Sequence, residues 1–172
     1  MATSPLFQQV LQTPLFQGLS ELESAVLFGI ADQQSVRQGA TLFGEGDPGD
    51  SLYVLLEGTV EVLKRDSTGT QQTLARLGRG SVIGEMSLIS EEPRSASVLA
   101  VSELKLLRIP CSRFHRLLNE DNIPALKVVH NLAQVLSKRL AISSVKMVEV
   151  LDRGKKREEL VAFQRLLTEW QF

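Results

Sequence analysis

The chain has 172 residues, of which 43% are hydrophobic and 23% charged, with a formal net charge of −1. That composition excludes a disordered chain and provides no overall electrostatic drive toward DNA or an anionic membrane. The length suits one domain plus an appendage.

The one cysteine, Cys111, excludes an internal disulfide framework and fits a reducing cytosol. Its neighbours Ile109, Pro110 and Phe114 suggest a buried thiol with no base beside it. Met1 to Gln12 lacks the basic region and apolar run of a signal peptide. No apolar stretch approaches the ~20 residues that span a bilayer. A soluble, cytoplasmic protein is expected.

Pro5 and Pro14 punctuate the first segment. Ser20-Glu21-Leu22-Glu23 is a capping-box pattern. It predicts a helix to about Ala31, with Leu22, Val26, Leu27 and Ile30 on its inner face. From Ser35 to Ile109, short apolar runs alternate with turn residues. Gly44 to Asp50 is one turn cluster, and Ser51 to Leu56 reads as a buried strand closed by Glu57-Gly58. Val60 and Val62 alternate with their neighbours, Asp66 to Gly69 is a hairpin tip, and Leu77 to Gly80 is another break. Ser97 to Ile109 reads as two strands bent near Ser102-Glu103. Evenly spaced strands with such turns predict an antiparallel sandwich or roll.

After Cys111 the period becomes helical. Phe114, Leu117 and Leu118 predict a short helix ending near Asn119, and a long helix begins near Pro124. Leu126, Val129, Ala133, Leu136, Leu140, Ser143, Met147 and Val150 step by three and four, a heptad seam over about three and a half repeats. The seam is read as a homodimer interface, against the alternative that the helix packs on its own sheet. Ser143 is its one polar member and needs a hydrogen-bond partner. Beyond Gly154, the stretch from Lys155 to Phe172 reads as a last amphipathic helix carrying Leu160, Phe163, Leu167 and Trp170. The domain boundaries follow as 1–14 for an N-terminal segment, 15–121 for the roll and its flanking helices, 122–153 for the long helix and 154–172 for the last one.

The densest chemistry lies in Gly84-Glu85-Met86-Ser87-Leu88 and the following Pro93-Arg94-Ser95-Ala96-Ser97-Val98. A carboxylate accepts from hydroxyls, and a guanidinium offers a planar fork to phosphate oxygens. Small residues between them let backbone N–H groups approach an anion. A compact sugar phosphate suits both groups. Glu85 and Arg94 could instead pair simply to hold the loop closed.

These residues resemble the phosphate-binding cassette of the cyclic nucleotide-binding domain family, over about Pro14 to Val150. The resemblance implies an α+β fold, an eight-stranded antiparallel β-roll (jelly-roll-like) flanked by an N-terminal helix and C-terminal helices. It implies that Glu85 accepts the ribose 2′-hydroxyl and that Arg94 pairs with the exocyclic phosphate oxygens. The resemblance further implies that the backbone N–H groups of Ser87 and Ala96 complete the cradle, that Ser95 adds a hydroxyl, and that Gly84 and Met86 belong to the ligand-binding set. It places Val62, Leu74 and Ile83 along the sugar and base side. Phe43 departs from the family, which usually has a smaller aliphatic residue there, and is read as a core-packing change.

In the family, threonine after the arginine leans toward cGMP and alanine toward cAMP; Ser95 lies between. Lys138 to Ser144 resembles the dimer helix of the catabolite activator family, which implies base contacts from Ser143 and Ser144, with Arg139 nearby. The ligand expected is therefore cAMP, with cGMP as the alternative. The other reading is a ligand-independent dimerisation or scaffold module.

A winged DNA-binding domain does not fit in the residues after Gly154, and Met1 to Leu19 contains no lysine or arginine to form a pseudosubstrate. His115 and His130 are isolated and no metal cluster is evident, so neither an enzyme nor a metal site is expected. The expected protein is a stand-alone, bacterial, homodimeric sensor. An unknown protein partner would read its C-terminal helices, without direct contact to nucleic acid or membrane.

Overall fold

The computed structural model describes residues 5–90 and 92–154. The chain divides into two units, Met1–Leu132 and Ala133–Phe172. The reading of Lys155 to Phe172 as a helix lies outside the described residues.

The first unit holds eight short strands. They are β1 (Asp32–Val36), β2 (Thr41–Phe43), β3 (Ser51–Glu57), β4 (Val60–Arg65), β5 (Gln71–Leu77), β6 (Val82–Ile83), β7 (Ser97–Ala100) and β8 (Leu104–Pro110). They form two four-stranded antiparallel sheets, ordered β1-β8-β3-β6 and β2-β7-β4-β5. The expected α+β architecture is the one observed.

The continuous apolar run of β3 has a simple cause. Side chains alternate across a strand. Leu52, Val54 and Leu56 enter the core beneath the helices, whereas Tyr53 and Leu55 enter a second core with Val60, Val98 and Ala100 of the other sheet. Covered on both faces, β3 has no use for polar alternation. Strand β8 divides likewise, with Leu107 and Ile109 in the first core and Leu104 and Leu106 in the second.

Helix α1 (Pro5–Leu11) and a 3-10 turn (Pro14–Phe16) lie where the sequence suggests only a punctuated segment. Both begin on proline, whose fixed φ suits a first helical position. Val10, Leu15 and Phe16 are buried, and Phe7 meets Phe28 edge to face at 5.5 Å. So short a helix lacks a readable period; packing makes it.

Helix α2 (Glu21–Gly29) has the predicted capping box, with Ser20 and Glu23 each bonding the other's backbone N–H. Its inner face is only partly the predicted one. Leu27 is buried and Ile30 packs against the core, as expected, and Ser24 is buried beside them, whereas Leu22 is 83% exposed and Val26 is also exposed. With Leu27 and Ser24 turned inward, Leu22 faces out, and Glu23 reaches Lys127 of the long helix at 2.6 Å.

Helices α3 (Glu85–Ser90) and α4 (Cys111–Asn119) precede the long helix α5 (Ile123–Gly154). Asn122 caps α5, its Oδ1 accepting from the Ala125 N–H at 3.2 Å. In the first unit, α5 buries Ala125, Val128 and Leu132, and Asn131 donates to the Leu15 and Gln17 carbonyls. Leu126, which opens the predicted seam, is 50% exposed; Val129 is half-buried against the core. The face α5 presents to its own domain is therefore offset from the seam. Further along, Leu140, Met147 and Val150 are exposed.

Candidate functional site

The site is built where the β2–β3 turn meets α3 and the start of β7. Gly84 adopts φ +76° immediately before α3, a backbone that disfavours any side chain. The turn from Gly44 to Asp50 grips Arg94 through its backbone. Gly46 N–H donates to the Arg94 carbonyl at 2.8 Å, and Arg94 N–H donates to the Asp47 carbonyl at 2.8 Å. Asp47 in turn accepts from Gly44 N–H through Oδ2 at 2.7 Å.

This clasp drives the Arg94 side chain inward, where it is only 4% exposed. Nη2 donates to the Ser51 carbonyl at 2.8 Å and lies 3.6 Å from Asp50 Oδ1. Nη1 makes long bonds to the Gly84 carbonyl, 3.3 Å, and Ser87 Oγ, 3.4 Å. Nε is buried and has no acceptor. A buried guanidinium normally has its donors matched. This one keeps donor capacity beside a glycine, which is what an oxyanion requires. The ring of Phe43 covers the guanidinium at 4.2 Å.

Glu85, the first residue of α3, is 9% exposed. Ser87 and Ala96 are buried, and Ser95 is exposed, its Oγ 3.5 Å from the Sδ of exposed Met86. The Ser95 carbonyl accepts from Lys64 Nζ at 2.6 Å; the same ammonium meets Glu45 Oε1 at 2.8 Å. Ile83 is buried and Val62 half-buried in one apolar cluster. Leu74 is 56% exposed, at the register shift between β4 and β5, and belongs to neither core.

The structure thus brings Gly84, Ser87 and Arg94 into direct contact, and joins Met86 to Ser95. Arg139, Ser143 and Ser144 lie in the second unit on α5; Ser144 Oγ donates to the Leu140 carbonyl of its own helix at 2.9 Å.

Three contributors escaped the sequence reading. Asp50 and Ser51 receive Arg94, and Gly49 packs against Ser87. The repeated Gly-Asp pairs of the turn were the available signal. Phe43 does pack on the core between the sheets, as expected, but its ring also faces Arg94, so core packing is only part of its role.

From Arg94 a chain of alternating charges crosses the sheet edge. Asp50 Oδ2 meets Arg108 at 2.8 Å, Arg108 lies 3.8 Å from Asp32, and Asp32 meets Arg113 of α4 at 3.2 Å. Helix α4 also touches the cassette, His115 Nε2 lying 2.8 Å from the Leu88 carbonyl. Cys111 is buried with Sγ 3.9 Å from the Ser87 carbonyl, and burial pushes its thiol pKa up, which disfavours the thiolate. Among the described residues, no three metal-ligating side chains cluster, and no helix is long and apolar enough to cross a membrane.

A family model of the cyclic nucleotide-binding domain matches residues 33–121, more than half of the chain. The chain is 36% identical over 132 residues to the cyclic AMP receptor protein of Thermus thermophilus, covering 74% of this chain and 57% of that protein. It is 35% identical over 107 residues to the cAMP-dependent protein kinase regulatory subunit of Aspergillus fumigatus, covering 62% of this chain and 25% of that one. A solved cyclic nucleotide-binding domain from Methylobacillus flagellatus matches with a TM-score of 0.75 at 31% identity, over 84% of this chain and 81% of that one.

The chain belongs to the cyclic nucleotide-binding domain family. It spans little more than half the length of the Thermus relative and a quarter of the Aspergillus one.

Proposed function

We propose that this chain is a cyclic nucleotide sensor whose ligand is cAMP, held as a signal rather than turned over. The observation that carries the reading is Arg94, a buried guanidinium with an unmatched Nε–H and long Nη1 bonds beside a positive-φ glycine. A cyclic phosphate supplies the missing acceptors, and charge-assisted bonds of this kind contribute ~1.5–3 kcal/mol each. Glu85 takes the ribose hydroxyl. The backbone N–H groups of Ser87 and Ala96 add donors, with Gly84, Met86 and Ser95 around them. Val62, Leu74 and Ile83 flank the sugar and base.

On this reading Ser143, Ser144 and Arg139 of α5 serve the base, and a homodimer forms through that helix. Its exposed Leu140, Met147 and Val150 are consistent with such an interface. The names of the Thermus and Aspergillus relatives favour cAMP. Ligand occupancy shifts the arrangement of the helices, with coupling on the order of 1–3 kcal/mol, for a protein partner to read.

Calorimetric titration of the full chain with cAMP, and with cGMP as comparator, tests the reading. Micromolar cAMP binding with weaker cGMP is expected. A cGMP preference would overturn the assignment of the helix serines, and binding of neither would leave a scaffold module.

A further inference from the structure

We propose that Phe43 is a positioning residue for the anion site: its ring holds Arg94 in its phosphate-ready geometry while taking up none of its N–H donors, so that Nε–H stays without an acceptor. The inference rests on the cyclic-nucleotide reading above.

Strand β2 pairs with β7 through a register shift between Thr41 and Phe43. The shift breaks the strand's alternation, so that consecutive Leu42 and Phe43 both pack against the core between the sheets. Bulges re-aim side chains in this way. The Phe43 ring is then fixed by stacking on buried Tyr53, centroids 6.0 Å apart at 29°. With the ring held there, the Arg94 guanidinium carbon lies 4.2 Å from the Phe43 centroid and 5.8 Å from that of Tyr53.

The geometry matters because of what else could stabilise a buried cation. A close carboxylate would neutralise the charge and occupy the N–H fork. Asp50, a partner of that kind, lies 3.6 Å away on a largely exposed side chain. An aromatic face attracts the cation through its quadrupole and uses no N–H group. Arg94 is therefore held in place with its Nε–H still without an acceptor. A ligand that meets a pre-ordered arginine does not bear the entropy of ordering a long side chain. A smaller aliphatic residue at this position offers apolar cover without the quadrupole.

The experiment compares Phe43→Leu, Phe43→Met and Phe43→Tyr in the full chain. Calorimetry with cAMP gives affinity, and the Arg94 Nε–H resonance of the nucleotide-free protein reports ring-current placement and solvent exchange. F43L is expected to weaken cAMP binding by about tenfold, move the resonance and speed its exchange, while F43Y restores both. If F43L does not fold, F43M is read in its place. Wild-type affinity in a folded F43L or F43M, or an unmoved Arg94 resonance, would overturn the inference. Failure of F43Y to restore either readout would reduce Phe43 to a packing residue and overturn it equally. Failure of the wild-type chain to bind any cyclic nucleotide would overturn the functional reading, and this inference with it.

Discussion

Gly49 and Ser87 touch with no room for a side chain between them. A Cβ on Gly49 would collide with both Oγ and Cβ of Ser87 and lie 2.9 Å from the Glu92 carbonyl. Residues 38 positions apart in sequence (87 − 49) thus set how closely the β2–β3 turn seats on the cassette. Gly49→Ala should displace Ser87, at an overpacking cost of ~1–3 kcal/mol. A loss of cAMP affinity together with a lower unfolding midpoint is expected. Wild-type values in both would mean that the turn yields without moving the cassette.

Arg94 separates charge from shape. Arg94→Lys keeps a positive charge but loses the planar fork, so binding should weaken by about tenfold or more. Arg94→Ala should weaken it further and leave a buried gap beneath Phe43. Equal affinity of both variants and the wild type in calorimetry would remove Arg94 from the site.

The link between Glu45 and Lys64 carries a pH dependence. The Lys64 hydrogen bond, then the Arg65 N–H, hold the Glu45 carboxyl below its ordinary 4.5. A depressed folded-state pKa stabilises the fold above the ordinary value, and that contribution disappears as pH falls through the lowered one. Acidification below 4.5 should therefore release Lys64 from Glu45 and loosen its hold on the Ser95 carbonyl. Carboxyl NMR titration should place the Glu45 midpoint under 4.5, and Lys64→Met should raise it.

On the proposed function, Ser143 and Ser144 decide base selectivity. Alanine at both positions should narrow the cAMP-to-cGMP affinity ratio toward one while cassette binding survives. Each lost hydrogen bond would account for ~0.5–1.5 kcal/mol. An unchanged ratio in paired titrations would exclude them, and the Ser144 bond to the Leu140 carbonyl would then be its whole role.

The helical layer should depend on Phe114, which is fully buried among Leu52, Ile109 and Leu132 in the first core. Phe114→Ala should cost ~3–5 kcal/mol in urea unfolding. A loss below ~1 kcal/mol would show that the core collapses around the gap.

Much of this was legible along the chain because short-range chemistry writes itself locally. The capping box at Ser20 and Glu23, the hairpin tip at Asp66 and the all-apolar Ser51 to Leu56 are each decided within a few residues. The cassette is equally local: Gly84, Glu85 and Arg94 are spanned by the short helix α3 and the segment that leaves it, so residue type and spacing pointed to a sugar phosphate. Local pattern failed where a face had to be chosen. Leu22 and Val26 have the right period for a buried stripe, but the helix packs through Ser24 and Leu27, which leaves them outward, and Glu23 meets Lys127, 104 residues away. Helix α1 has too few residues to show a period, and only contacts such as Phe7 with Phe28 reveal it.

By itself the sequence determined the long helix, the capped helix at Ser20, the antiparallel β architecture and the carboxylate, guanidinium and small residues of the cassette, since each depends on neighbours in the chain. Only the tertiary structure decided that Arg94 is buried with an unmatched Nε–H, that Asp50 and Ser51 receive it, and that Phe43 lies over its face. Those are meetings of residues some 40 or more positions apart, set by strand register and a bulge, and no local period encodes them.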